Sequence, residues 1–142
     1  MAGHAVGGGF ALGLAADIVV LANEARYGFT FMDMGFTPGM GSTALAEHVL
    51  SRAVAHELLY TGERRKGSAF AGSTGVNAVF PAEAVVAHAM TIAVRIAEKP
   101  RVALELLKRT LSLPRRQAFE QSITMESLMH QLTLKGTLDH VE

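Results

Sequence analysis

The sequence predicts an α/β chain in which a few short strands come first and a helical region follows. Three observations carry this expectation. A glycine triplet at residues 7–9 stands directly before an apolar run, with no polar turn between them. Residues 18–22, Ile-Val-Val-Leu-Ala, are fully apolar and rich in β-branched side chains, as a strand buried on both faces is. From Thr43 onward apolar residues recur at three- and four-residue spacing, the period of a helix with one buried face.

Taken in order, Ala5 and Val6 end a first strand, residues 7–9 turn the chain, and residues 10–16 form a short buried helix. Residues 18–22 make a strand, residues 23–26 a polar connection, and residues 26–29 another short strand. Residues 34–43, MGFTPGMGST, are a loop: Pro38-Gly39 signals a turn, and Ser42 or Thr43 suits a helix N-cap. A helix over 44–50 follows. Ser51 caps a second one that runs to Tyr60 and stops at Gly62. Residues 62–81 hold a turn, a short helix and a strand at 76–79. Val85, Val86, Ala89, Ile92, Ala93 and Ile96 mark a helix over 83–98, halted by Pro100. Pro100 opens the next helix, through Leu107, and Pro114 opens a last one of about twenty residues ended by Gly136. Residues 1–81 are thus expected to form a core of strands, short helices and the glycine turn. Residues 82–142 would form a helical region that makes oligomer contacts and caps the site.

The 142 residues amount to one ordinary domain. With 49% hydrophobic and 18% charged residues, the chain can bury a core. Thirteen basic residues balance thirteen acidic ones, so no whole-chain field points to nucleic acid or a membrane surface. The lack of cysteine excludes disulfides, thiolate metal sites and a thiol nucleophile. The six histidines, His4, His48, His56, His88, His130 and His140, show no H-x-x-x-H spacing, and no metal site is expected. The apolar run at 10–22 is too short to span a bilayer and contains Asp17. A cytoplasmic, soluble protein is the expectation.

Three roles compete for the glycines. A dinucleotide fingerprint needs G-x-G-x-x-G, but the third position after Gly9 is Leu12 and Gly13 comes one residue late. Glycines can simply allow close helix–strand packing. A glycine turn before a helix can also leave N–H groups pointing outward, where the helix dipole adds positive character and an oxyanion can sit.

GHAVGGGFALGLAAD (3–17), followed by ANEARYGFTFMDMGFTPGMGST (22–43) and LLYTGERRKGSAFAGSTGVNAVFP (58–81), resembles the crotonase, or enoyl-CoA hydratase/isomerase, superfamily. The resemblance covers essentially the whole chain. It implies a partial crotonase fold in which Gly8 donates one of two oxyanion N–H groups. Gly7, Gly9, Phe10, Ala11, Phe31 and Met32 would lie around the acyl group. It further implies that the chain is the C-terminal half of such a protein, through truncation, a late start or a split enzyme, and is inactive alone. No cofactor is implied: the acyl group arrives on phosphopantetheine, as acyl carrier protein, or on coenzyme A. A homo-oligomer, trimer or hexamer, is implied as well.

Hydratases of this family use two glutamates. The matching positions here are Ala11 and Phe31, which carry no proton; Asp33 is the nearest substitute. AEKPRVALELLKRTL (97–111) and ESLMHQLTL (126–134) resemble the decarboxylating branch that acts in polyketide β-branching. That branch is expected to use a histidine on the last helix, matching His130, and a lysine from the preceding half of the protein. The substrate implied is a 3-methylglutaconyl thioester. By helical spacing Phe119, Ile123, Glu126 and His130 share one face, with Met125, Leu128 and Leu132 opposite, and Glu126 could hold the His130 imidazole. Two basic clusters, Arg64-Arg65-Lys66 and Lys108, Arg109, Arg115, Arg116, are either solvated faces or a surface for an acidic carrier or coenzyme A phosphates. The rival functions are a coenzyme A-dependent hydratase or isomerase using Asp33, and a non-catalytic partner chain that supplies half a site.

Overall fold

The computed structural model describes residues 1–72 and 75–138. Strand β1 (Ala5–Val6) leads into α1 (Gly8–Leu14), followed by β2 (Val20–Ala22) and β3 (Arg26–Gly28). A 3₁₀ turn at Met32–Met34 precedes α2 (Ser42–Val49) and α3 (Arg52–Thr61). Then come β4 (Arg64–Lys66), a second 3₁₀ turn (Gly67–Phe70), β5 (Ala78–Phe80), α4 (Ala82–Ala97) and α5 (Arg101–Leu138).

The strands form two small sheets. β3 lies between β1, which it pairs in parallel, and β4, which it pairs antiparallel; β2 and β5 pair in parallel. Helix α1 forms because Phe10, Ala11 and Leu14 recur on one face. All three are fully buried, while Leu12 points outward at 73% exposure. Phe10 is the hub of an aromatic cluster with Tyr27, Phe29 and Phe70 at centroid distances of 5.6, 5.1 and 5.9 Å. The buried Tyr27 hydroxyl is satisfied: it donates to the Met1 carbonyl (2.8 Å) and accepts the Ala22 N–H (2.9 Å). Burial pushes its pKa up. Leu45, Ala46, Ala55 and Leu58 extend this core beneath α2 and α3.

The expected α/β order holds, with four corrections. The strand expected at 18–22 begins only at Val20, because the Asn77 side chain takes the Val19 N–H (2.7 Å). The strand expected at 76–79 is shifted to Ala78–Phe80. Arg64, Arg65 and Lys66 form an unexpected strand on β3, though its exposed face with Arg65 ion pairs matches the solvated-face reading. Finally, Pro114 does not start a helix; it lies inside α5, which also passes position 136 and runs to Leu138. An interior proline costs about 3 kcal/mol, and α5 continues through it with packed or paired residues on both sides. Before Pro114, Lys108 pairs with Asp17 and Ser112 is 6% exposed. After it, Arg115 bonds Asp17 (2.8 Å).

Asp17 therefore ties α5 to the segment after α1. The hydrogen bond from Lys108, and secondarily that from Arg115, holds its carboxyl below the ordinary aspartate value, against the opposite pull of partial burial. A depressed folded-state pKa gives stability that is fully present above about pH 4 and lost as pH falls through the folded value. The pair is half-exposed, so the expected contribution is only about 0.5–1 kcal/mol. Thermal melts of Asp17→Asn should show a small deficit at pH 7 that shrinks away in acid. A deficit independent of pH would remove the tether.

Candidate active site

The glycine turn is built as its sequence requires. Gly7 has φ +57°, a left-handed conformation that disfavours side chains. Its N–H donates to the Gly28 carbonyl of β3 (2.9 Å), which anchors the turn to the sheet. Its carbonyl accepts from Phe10 and Ala11, both at 3.1 Å, and so starts α1. Gly8 and Gly9 occupy the first two helical positions, whose N–H groups have no intrahelical acceptor. Gly8 is half-buried and Gly9 exposed, so both amides sit at the surface end of the helix. A Cβ on Gly8 would meet the Met40 thioether, which would have to shift to make room.

Met40 belongs to the loop between the first 3₁₀ turn and α2, and α5 packs against that loop. The inward positions of α5 recur at three- and four-residue spacing: Phe119, Ser122, Glu126, His130 and Thr133. Met125, Leu128 and Leu132 point outward as expected, at 59%, 51% and 80% exposure; Ile123, expected inward, is exposed. His130 Nε2 lies 2.6 Å from the Thr37 carbonyl oxygen. A carbonyl cannot donate, so Nε2 carries a proton and Nδ1 is the ring atom left for proton exchange. The ring stands edge-on to Phe36 at 5.8 Å. A Cβ on Gly39 would strike it.

The expectation that Glu126 holds His130 is not met. The Glu126 carboxylate turns the other way and accepts from Gly41 N–H (2.6 Å), Thr43 N–H (2.9 Å), Thr43 Oγ1 (2.7 Å) and Ser122 Oγ (3.1 Å). It caps α2 from a distant part of the chain. Sequence spacing hid this, because the partners lie more than 80 positions apart.

The other expected residues divide. Phe31 stands beside Gly7, stacked on Phe29 and edge-on to Phe36 (6.0 Å), so one aromatic row links the glycine turn to His130. Met32 is half-exposed next to it. Phe10 and Ala11 are fully buried; they support the turn from beneath and present no wall to a ligand. Asp33 lies against Gly62 at the end of α3. Arg65 is bound to Glu57 (2.6 Å) and Glu63 (3.0 Å), and Arg115 to Asp17. Both are structural cations. A largely apolar cleft of about 320 Å³ opens between the first 3₁₀ turn, α3 and α5, lined by Met32, Pro38, Leu59, Tyr60 and Met129. A larger one, about 570 Å³, lies between α2 and α5. Neither cleft is lined by Gly8. Among the described residues, no cluster of three or more His, Asp or Glu could hold a metal ion, and no helix is long and apolar enough to cross a membrane.

The enoyl-CoA hydratase/isomerase family model matches residues 1–138. This chain belongs to that family. A similar curated member is the bacillaene synthase decarboxylase PksI of Bacillus subtilis, 39% identical over 94% of this chain and 53% of that protein. Among solved structures, the ECH2 decarboxylase domain of CurF from Lyngbya majuscula superposes with a TM-score of 0.89. It is 36% identical and matches 94% of this chain and 55% of its own. A second structure, from a dehydratase/decarboxylase enzyme couple involved in polyketide β-branching, gives a TM-score of 0.88 at 39% identity, over 92% of this chain and 58% of its own. The fold is therefore the crotonase fold in part: the chain spans about half the length of the curated relatives it matches.

Proposed function

We propose that this chain supplies one half of a decarboxylating site of the enoyl-CoA hydratase/isomerase family, acting on a 3-methylglutaconyl thioester carried by acyl carrier protein. One observation carries the reading. By the family resemblance, the two positions where hydratases keep glutamates correspond to Ala11 and Phe31, both buried here, and the substitute Asp33 lies against Gly62. Hydration needs a base and an acid across the double bond, and these positions offer neither. The decarboxylase names of the similar proteins agree with this reading.

The chemistry needs few groups. The C–C bond to the distal carboxylate breaks, CO₂ leaves, and the electron pair enters a dienolate whose charge rests partly on the thioester oxygen. The Gly8 N–H stabilises that oxygen, helped by the positive end of α1. A proton then goes to carbon, and His130 Nδ1 donates it. Met32, Phe31 and Phe36 keep the surroundings apolar, which favours loss of the carboxylate charge. The exposed apolar faces of α4 and α5, including Val86, Met90, Leu107 and Leu111, would be covered by neighbouring subunits or by the rest of the protein.

The test is an assay of this chain and of the complete protein on 3-methylglutaconyl carrier protein. The complete protein should release CO₂. The isolated chain should be slower by about 100- to 1,000-fold or more, the loss typical of one oxyanion donor. Hydration without CO₂ release would defeat the reading, and equal rates would remove the idea of a half site.

A further inference from the structure

Glu126 takes no part in the chemistry above, yet it is 2% exposed and its carboxylate accepts four hydrogen bonds. A buried carboxylate without donors is strongly unfavourable. Here the donors are two backbone N–H groups at the start of α2, the Thr43 hydroxyl and the Ser122 hydroxyl, with the positive end of that helix behind them.

What it holds is an unusual turn. Met40 has φ +61°, the one non-glycine residue with positive φ among the described residues, and Gly41 after it has φ +71°. A side-chain-bearing residue in this region is unfavourable and persists only where its surroundings fix it. Residues 39–41 each touch a different part of the site. Gly39 faces the His130 ring, the Met40 thioether lies against Gly8, and the Gly41 N–H donates to Glu126 Oε2 at 2.6 Å. Glu126 and His130 stand one turn apart on α5, so a single helix carries both the ring and the clamp on the loop beneath it.

We propose that Glu126 is a positioning residue. By fixing the 39–43 turn it holds Met40 against the Cα of Gly8 and keeps Gly39 under His130, and so fixes the spacing between the oxyanion donor and the proton donor. Only the catalytic consequence rests on the decarboxylase reading; the mechanical link stands on the contacts alone.

Two variants of the complete protein separate positioning from mere stability. Glu126→Gln keeps a carbonyl oxygen for the Thr43 and Ser122 donors but sets an NH₂ group against the Gly41 N–H. Glu126→Ala removes every acceptor. Methyl NMR on the methionines should show the Met40–Gly8 contact weakened in Glu126→Gln and lost in Glu126→Ala. The kcat for decarboxylation, taken per folded molecule because the opposed donors also lower the melting temperature, should fall by about 10- to 100-fold in Glu126→Gln, as for a small misplacement remote from the chemistry, with KM nearly unchanged. An intact Met40–Gly8 contact in both variants would overturn the proposal. So would a moved contact with unchanged kcat per folded molecule. If the parent itself releases no CO₂, the decarboxylase reading fails, and the NMR comparison alone decides the positioning role.

Discussion

Gly8→Pro in the complete protein should lower decarboxylation by about 100- to 1,000-fold while leaving the fold intact. The substitution is unusually clean at this place. Gly8 is the first residue of α1, where proline is accommodated because its missing N–H has no intrahelical partner. What proline removes is the one amide assigned to the thioester oxygen, and loss of a single oxyanion donor typically costs that factor. The added ring would meet Met40, the end of a flexible side chain, which can give way. Gly8→Ala supplies the control: it crowds Met40 in the same manner but keeps the N–H, so it should lose far less. If both variants lose the same amount, crowding explains the effect and the amide has no special role. If both keep full turnover with unaltered melting, the glycines serve packing alone.

Local signals in the sequence were read correctly where the partners are near in the chain. Ser51 caps α3 through the Val54 N–H (3.4 Å), and Gly62 ends it at φ +69°. The apolar spacing of α1 and, except for Ile123, the inward face of α5 also follow from period. What was missed depends on distant partners. Arg64-Arg65-Lys66 reads as a charge run, yet it pairs with β3, and Arg65 leans between Glu57 and Glu63. Pro114 reads as a helix start, since local energetics oppose an interior proline. The helix continues through it, with Asp17 pairs on both sides and the buried Glu126 and half-buried Phe119 and Ser122 packed beyond it. The site shows the same division. The glycine turn is legible from residues 7–9, and the proposal of His130 as a proton donor rests on family resemblance. Glu126 was assigned to the wrong neighbour, because i, i+4 spacing favours His130 and nothing local points to Gly41 and Thr43.

His130→Ala should slow net decarboxylation by about 100- to 10,000-fold, the range of a positioned general acid, or move the double bond in the product. The Thr37 carbonyl fixes the proton on Nε2, so Nδ1 is the atom that must carry the transferable proton. Glu126 does not touch the ring, and the orientation of the imidazole comes instead from Thr37, Gly39 and the edge contact with Phe36. Those contacts also pack the ring, and the experiment separates the two roles. Removing the ring leaves space above Gly39 and an unpaired Thr37 carbonyl, so some loss of melting temperature is expected in either case. The decisive number is the rate per folded molecule, measured with the melting curve on one preparation. Turnover in D₂O adds a second reading: with the donor gone, the proton must come from water, and the position of deuterium in the product should lose its selectivity. A lowered melting temperature with an unchanged rate and unchanged selectivity would make His130 a structural residue, and would remove the proton donor from the proposed decarboxylase site.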